Sequence, residues 1–134
     1  MNKHKLWIFA SALLFVSLPA LAQSVAVIVN PKNTSELTAE QISNIFLGKS
    51  NALVAVDLSE SSPLREYFYH KVTGKEGAQL KAYWAKLVFT GKAQPLREFP
   101  TDADVKRFVA GNPNGIGYID KSAVDSSVKA VLVP

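Results

Sequence analysis

The feature that most constrains this chain is a short apolar strand that runs through a serine-rich turn into a proline-started helix. Residues 53–56 are apolar, Ser59, Ser61 and Ser62 follow, and Pro63 begins a helical pattern. Proline suits the first position of a helix, because its missing N–H group would have no partner there. Ser61 or Ser62 is therefore the predicted N-cap of this helix.

The same turn has two interpretations. A helix N-terminus presents unpaired backbone N–H groups and a partial positive charge, and Arg65 stands in the first turn of this helix. Hydroxyl groups and a guanidinium beside such a terminus suit an oxyanion. The alternative is an ordinary capped helix start with a surface arginine.

Strand and helix patterns alternate along most of the chain. β-Branched or apolar runs predict strands at 24–30, 53–58, 116–119 and 129–133. Amphipathic patterns predict helices after a Thr38–Gln41 capping box, after Pro63, over 76–90, after Thr101, and briefly near 122–125. This order predicts an α/β fold with a mostly parallel sheet flanked by helices.

The predicted helix over 76–90 contains the clearest candidates for core residues. Leu80, Tyr83, Trp84, Leu87 and Val88 recur at helical spacing and predict a core-facing stripe, with both aromatics in the core.

Five polar or aromatic positions outside that stripe also have candidate roles. Asp57 is either a polar strand end, which we favour, or a hydrogen-bond acceptor for a protonated ligand. Tyr67 and His70 are neighbours at i and i+3 that can border a pocket, although packing or surface roles are commoner. The Arg97-Glu98 pair is expected to be a solvated ion pair in a loop.

The N-terminus predicts export. Lys3 and Lys5 precede an apolar run over 6–18, and Pro19 and an Ala-Leu-Ala sequence at 20–22 follow. We therefore expect residues 1–22 to be a cleaved signal peptide rather than a stable membrane anchor, and 23–134 to be one periplasmic α/β domain. Without residues 1–22 the 15 basic residues fall to 13 against 11 acidic ones, a net charge of +2. With these charges scattered along the chain, no nucleic-acid partner is expected.

Composition argues against catalysis and cofactors. The chain has no cysteine, and His70 is its single histidine after residue 22. Cysteine-based and multi-histidine metal sites are thus excluded. Ser61 has no neighbouring base, because His70 lies about 10 Å from Pro63 by helix rise. We expect no enzyme activity, no catalytic residue, no metal and no cofactor.

Three segments resemble the periplasmic phosphate-binding proteins that serve ABC transporters. They are LTAEQISNIFLGK at 37–49, the stretch from Val56 to Phe68, and NPNGIGY at 112–118. IFLGK and NGIGYI together are typical of that superfamily. The resemblance implies a periplasmic-binding-protein-like domain, but the chain has about half the length of a full binding protein. It therefore resembles one lobe of a two-lobed clamp.

The resemblance also implies an altered phosphate motif. Ser61 matches the motif serine, whereas Asp57 stands where the family has an arginine and Ser59 where it has an aspartate. Ser62 and Pro63 replace the glycine and threonine of the motif. The lost cation can be replaced by Arg65, so the implied ligand-binding residues for phosphate or another oxyanion are Ser59, Ser61, Ser62 and Arg65.

Two functions follow from this resemblance. The first is binding of phosphate or a similar small oxyanion for ABC-type phosphate uptake or sensing, with an ABC permease as a possible partner. The alternative is a protein-interaction or assembly module of the cell envelope, which docks on an envelope protein and keeps the fold without a working ligand site. A homodimer of two facing half-clamps is a third arrangement.

Overall fold

The computed structural model describes residues 12–14 and 24–134. The predicted signal peptide therefore lies outside the described residues, apart from 12–14. Over the described ranges no helix combines the length and the apolar character that crossing a membrane requires.

Five strands and four α-helices make up residues 24–134. In chain order they are β1 (Val25–Val29), α1 (Ala39–Phe46), β2 (Val54–Leu58), α2 (Pro63–Thr73), α3 (Gly77–Phe89), β3 (Arg97–Phe99), α4 (Asp102–Gly111), β4 (Gly115–Asp120) and β5 (Lys129–Leu132), with a 3₁₀ turn (Lys121–Ala123) before β5.

The strands form one mixed sheet in the order β3-β2-β4-β1-β5. β2 pairs in parallel with both β3 and β4, whereas β1 pairs antiparallel with both β4 and β5. Four strands therefore run in one direction and β1 alone runs against them. The predicted α/β class with a mostly parallel sheet is confirmed, with β1 as the reversed strand.

Strand β4 shows how the helices cover both faces of the sheet. Successive side chains of a strand point to opposite faces. The Tyr118 ring stacks on Phe68 of α2 at 3.8 Å between ring centres and meets Phe46 of α1 edge-on at 5.8 Å. A Cβ atom on neighbouring Gly117 would instead meet Val105 of α4. Helices α1 and α2 thus cover one face and α4 the other.

Local sequence signals set most element ends. Thr38 and Gln41 form the predicted capping box at the start of α1, with Oγ1 of Thr38 accepting from the Gln41 N–H at 3.1 Å and Oε1 of Gln41 accepting from the Thr38 N–H at 2.8 Å. Gly74 ends α2 in the left-handed conformation at φ 72°. Asn30, which follows β1, donates its buried side-chain amide to the carbonyls of Val109 and Ala110 at the end of α4.

The segment Arg97–Phe99 corrects the sequence prediction, because it is an edge strand rather than a loop. It pairs with Val56, Asp57 and Leu58 of β2. Two of its three residues are charged, so it lacks the apolar or β-branched run that predicts a strand. Charged residues are nevertheless common on edge strands, where they discourage pairing with other chains. The predicted Arg97–Glu98 ion pair is also wrong: the Arg97 guanidinium lies over the Phe99 ring, 4.7 Å from its centre, and Glu98 pairs with Arg65.

Helix α3 is more exposed than its periodicity predicts. Leu80 is its buried residue, while Tyr83 and Trp84 pack at the margin of the core and Val88 is 44% exposed. The prediction that Val88 faces inward is therefore wrong. The helix lies at the edge of the molecule, where the sheet offers it little surface.

Replacing Gly117 with alanine is expected to destabilise the domain by about 1–3 kcal/mol, the usual cost of overpacking a core. The added Cβ would lie 2.6 Å from Cγ1 of Val105 and 3.3 Å from Cγ2 of Val56. Urea denaturation measures the loss. Gly111→Ala is the matched control, because no atom lies within 4 Å of its added Cβ. Equal stabilities of the two variants would contradict the tight packing at Gly117.

Candidate functional site

The serine turn joins the carboxyl end of β2 to the first residue of α2. The Ser62 N–H donates to the Ser59 carbonyl at 2.9 Å, which closes the turn, and the Ser59 N–H donates to the Phe99 carbonyl of β3 at 3.0 Å. Ser62 is the N-cap residue of α2, but its hydroxyl makes no capping hydrogen bond. The backbone thus decides between the two predicted N-caps in favour of Ser62 and leaves its hydroxyl available.

Several hydrogen-bond donors converge at this turn. The hydroxyl oxygens of Ser59 and Ser61 lie 3.2 Å apart near the surface. Within the described chain, the backbone N–H groups of Glu60, Ser61 and Leu64 have no acceptor. These groups stand at the positive end of the α2 dipole. The turn therefore offers three hydroxyls and three free N–H groups to an acceptor from solvent.

Arg65 lies beneath the turn and is held by groups of its own chain. One guanidinium nitrogen, Nη1, donates to the Leu58 carbonyl at 3.0 Å and to Oε1 of Glu98 at 2.6 Å. The other, Nη2, lies 3.7 Å from Oδ2 of Asp57. The Arg65 side chain is 15% exposed and that of Glu98 is 47% exposed. The structure thus brings Arg65 next to the three predicted serines, with its charge shared between two carboxylates.

Asp57 is the centre of a buried polar network rather than a polar strand end. The Tyr69 hydroxyl donates to its Oδ2 at 2.7 Å, the Tyr118 hydroxyl donates to its Oδ1, and the Leu58 N–H donates to Oδ1 at 2.9 Å. Every buried side-chain nitrogen and oxygen in the described residues has a hydrogen-bond partner. The network is therefore fully satisfied.

Burial controls the protonation of this network. Burial raises the pKa of Asp57 above 3.8, and the nearby Arg65 charge and the two tyrosine hydroxyls offset part of that rise. Burial and the Asp57 carboxylate also raise the pKa of both Tyr69 and Tyr118. Both phenols consequently remain protonated donors at physiological pH.

Sequence reasoning missed Tyr69 and Tyr118, paired Glu98 with Arg97 instead of Arg65, and favoured a plain strand end for Asp57. The signal that was present is an aspartate inside the apolar run Val54–Leu58, which is costly unless the carboxyl group has partners.

A pocket of about 330 Å³ opens between α2 and α3 beside Arg65. Tyr69 and Trp84 supply aromatic walls, and the charged lining consists of Arg65, Lys81, Glu60, Glu66 and Glu76. Tyr67 and His70, for which a pocket border was the less favoured interpretation, are not among its lining residues. The His70 ring instead lies 3.1 Å from Glu76 by its Nδ1 atom, and Lys71 lies over the Tyr67 ring.

Carboxylate and imidazole groups in the described ranges form no cluster of three or more suited to a metal ion. The donor set at the turn, made of hydroxyls, N–H groups and one guanidinium, is suited to an anion instead.

Three solved structures share this fold. A proposed phosphate ABC transporter substrate-binding protein from Clostridium perfringens, solved with bound phosphate, has a TM-score of 0.64 and 27% identity over 81% of this chain and 44% of its own. An ABC-type phosphate transport receptor from Vibrio cholerae has a TM-score of 0.63 and 24% identity over 81% of this chain and 45% of its own. A proposed phosphate-binding protein from Planctomyces limnophilus has a TM-score of 0.60 and 17% identity over 81% of this chain and 40% of its own.

These matches confirm the resemblance predicted from the sequence motifs. The chain has the fold of part of a phosphate-binding protein, spans less than half the length of the proteins it matches, and fits a short, single-lobe form. At 24% and 17% identity the second and third matches support the fold alone. All three are described as phosphate-binding or phosphate-transport proteins. No protein-family model and no curated protein sequence matches the chain.

Proposed function

We propose that this chain is a non-catalytic solute-binding domain that binds phosphate or a similar small oxyanion for ABC-type phosphate uptake or sensing. The observation that carries the proposal is the set of backbone N–H groups without an acceptor and of surface serine hydroxyls at the start of α2, at the carboxyl end of a parallel strand. Ligands of open α/β sheets bind at such ends. A fold match to a protein with bound phosphate supports the same ligand class.

Ser59, Ser61 and Ser62 would donate hydroxyl hydrogens to the oxyanion, and the free N–H groups of Ser61 and Leu64 would add two donors. Arg65 would supply the charge. Its present partner Glu98 sits at the protein surface and is half exposed, so a phosphate oxygen can take the place of that carboxylate. Asp57 stays bound to its two tyrosines and fixes the guanidinium from below.

The open geometry sets the expected affinity. A turn at the surface of a single lobe leaves the bound anion partly hydrated, and water screens charge interactions strongly. Binding by the isolated chain should therefore be weak. A second chain that closes over the turn, either an ABC permease, an envelope protein or a second copy, would exclude water and strengthen it.

The proposed cellular location rests on residues 1–22, whose sequence predicts a cleaved signal peptide. We propose that residues 23–134 act as a periplasmic domain, the compartment in which an uptake or sensing role for phosphate would operate.

Titration calorimetry with phosphate tests the proposal, with sulfate as a second ligand. We expect saturable phosphate binding that Ser61→Ala weakens by roughly 10- to 100-fold, since a hydrogen bond to a charged group contributes about 1.5–3 kcal/mol. Ser126→Ala, at an exposed serine distant in the chain, is the matched control and should bind like the wild type.

Absence of both heat and a thermal shift at millimolar phosphate would contradict the proposal. That outcome would favour the interaction-module function instead, under which Ser61→Ala is silent.

A further inference from the structure

Helix α3 carries apolar residues on two sides, and only one of them meets the core. Leu80, Tyr83 and Trp84 face the rest of the domain, and Leu87 is half-buried. The outward positions at spacings of four, three and four residues are exposed and also apolar: Ala78, Ala82, Ala85 and Phe89. Such spacing places them on one stripe of the helix. A surface helix normally carries polar residues there.

The outward stripe ends on the most exposed large apolar side chain among the described residues. Phe89 is 92% exposed, and Val88 beside it is 44% exposed. The turn after α1 packs against this end of the helix, because Gly48 lies against Trp84 and Ala93. The surface formed by Lys49, Lys86, Val88, Phe89 and Lys92 is called the α3 tip below.

The charge of this region has one sign. Residues 77–97 contain Lys81, Lys86, Lys92 and Arg97 and no acidic residue. Glu60, Glu66 and Glu76 lie around the pocket at the other end of α3, together with Lys81. In the described structure none of the three lysines of the α3 tip forms an ion pair. The α3 tip therefore presents free positive charge around two exposed apolar side chains.

We propose that the α3 tip docks peripherally on an anionic phospholipid surface. Phe89 and Val88 enter the interface between headgroups and acyl chains, and Lys49, Lys86 and Lys92 contact the lipid phosphates. Lys86 and Lys92 stand three residues before and three residues after the exposed Phe89. Exposed aromatic residues together with lysines are typical of helices that bind at a membrane interface. Complementary charge selects this occupant over a second copy, because self-pairing would bring the lysines of both copies together without an acidic partner.

The docking surface is independent of the serine turn and goes beyond the proposed anion binding. It would hold the domain beside the bilayer, where a membrane-embedded partner is reached by diffusion in two dimensions. The contact is reversible, since each lysine near an anionic surface strengthens binding only about fivefold.

The absence of cysteine allows a local test in the full chain. A Val88→Cys variant is labelled with an environment-sensitive fluorophore and mixed with phosphatidylglycerol–phosphatidylcholine vesicles or pure phosphatidylcholine vesicles. Val133→Cys is the matched control, because Val133 is 46% exposed and follows β5 at the far edge of the sheet.

We expect a blue shift from position 88 with anionic vesicles alone, reduced by salt, and none from position 133. Adding Lys86→Gln and Lys92→Gln should weaken binding roughly 25-fold, and adding Phe89→Ser should remove the shift.

Four outcomes would overturn the proposal: no shift at position 88, equal shifts at both positions, an equal shift with pure phosphatidylcholine, or a shift that survives Phe89→Ser. Self-association without vesicles that Phe89→Ser abolishes would assign the surface to a second copy, and a shift as strong with polyglutamate would assign it to an acidic protein.

Discussion

An Asp57→Ala variant is expected to lose about 2–6 kcal/mol of its free energy of unfolding. The substitution removes the acceptor of two buried hydroxyls, those of Tyr69 and Tyr118, and each orphaned buried donor costs about 1–3 kcal/mol. Total stabilities of about 5–15 kcal/mol make this loss severe. Urea denaturation followed by circular dichroism measures it.

Milder variants keep this expectation testable if Asp57→Ala does not fold. Tyr118→Phe and Tyr69→Phe each remove one donor from Asp57 and should each destabilise the domain. Tyr67→Phe is the matched control on the same helix as Tyr69, because the Tyr67 hydroxyl has no hydrogen-bond partner in the described chain. Losses as large for Tyr67→Phe as for the other two would contradict the role of the network.

The raised pKa of Asp57 adds a pH signature to the same prediction. A carboxyl group whose pKa is higher in the folded than in the unfolded chain stabilises the fold most when it is protonated. The wild type should thus lose stability relative to Asp57→Asn as the pH rises from 3.8 through the raised folded value of Asp57. Unfolding experiments across the acidic and neutral range measure the difference. If the wild type instead gained stability relative to Asp57→Asn as the pH rises, the pairing of Asp57 with Arg65 would outweigh the effect of burial.

Arg65→Ala is expected to weaken phosphate binding by at least about 30-fold. Loss of a hydrogen-bonded charge partner costs about 2–5 kcal/mol, and Arg65 is the cation that lies beneath the serine turn. Titration calorimetry with phosphate measures the loss. Far-UV circular dichroism on the same samples shows whether the domain remains folded, because Arg65 also faces the buried Asp57.

A second variant, Glu98→Gln, is expected to bind phosphate more tightly than the wild type. Glu98→Gln removes the carboxylate that holds Nη1 of Arg65 at 2.6 Å, so phosphate should bind about two- to fivefold more tightly, the usual strength of an exposed ion pair. Arg97→Ala is the matched control in the same strand, because its guanidinium lies over Phe99 and away from the turn. Unchanged binding in Arg65→Ala, or weaker binding in Glu98→Gln, would contradict the proposed site.

Local sequence signals predicted the backbone elements that form the site. The serine turn and the proline at the first position of α2 placed a helix N-terminus at the end of β2, and the structure has both there. The capping box of α1 was predicted in the same way, and the structure contains it. Each of these signals acts within a few residues, because backbone conformation and end-capping hydrogen bonds are local. The exposed apolar side of α3 could not be predicted, because an apolar stripe shows its period but not which side of the helix meets the core.

The sequence by itself determined the α/β class, the approximate position of every strand and helix except β3, and the set of serines near Arg65. Tertiary structure alone decided what Arg65 and Asp57 do. Glu98 lies 33 residues from Arg65 and Tyr118 lies 61 residues from Asp57, and the pairing of β2 with β3 and β4 brings these partners together. Short-range patterns carry no information about such contacts, because they exist only after distant segments pack into one sheet.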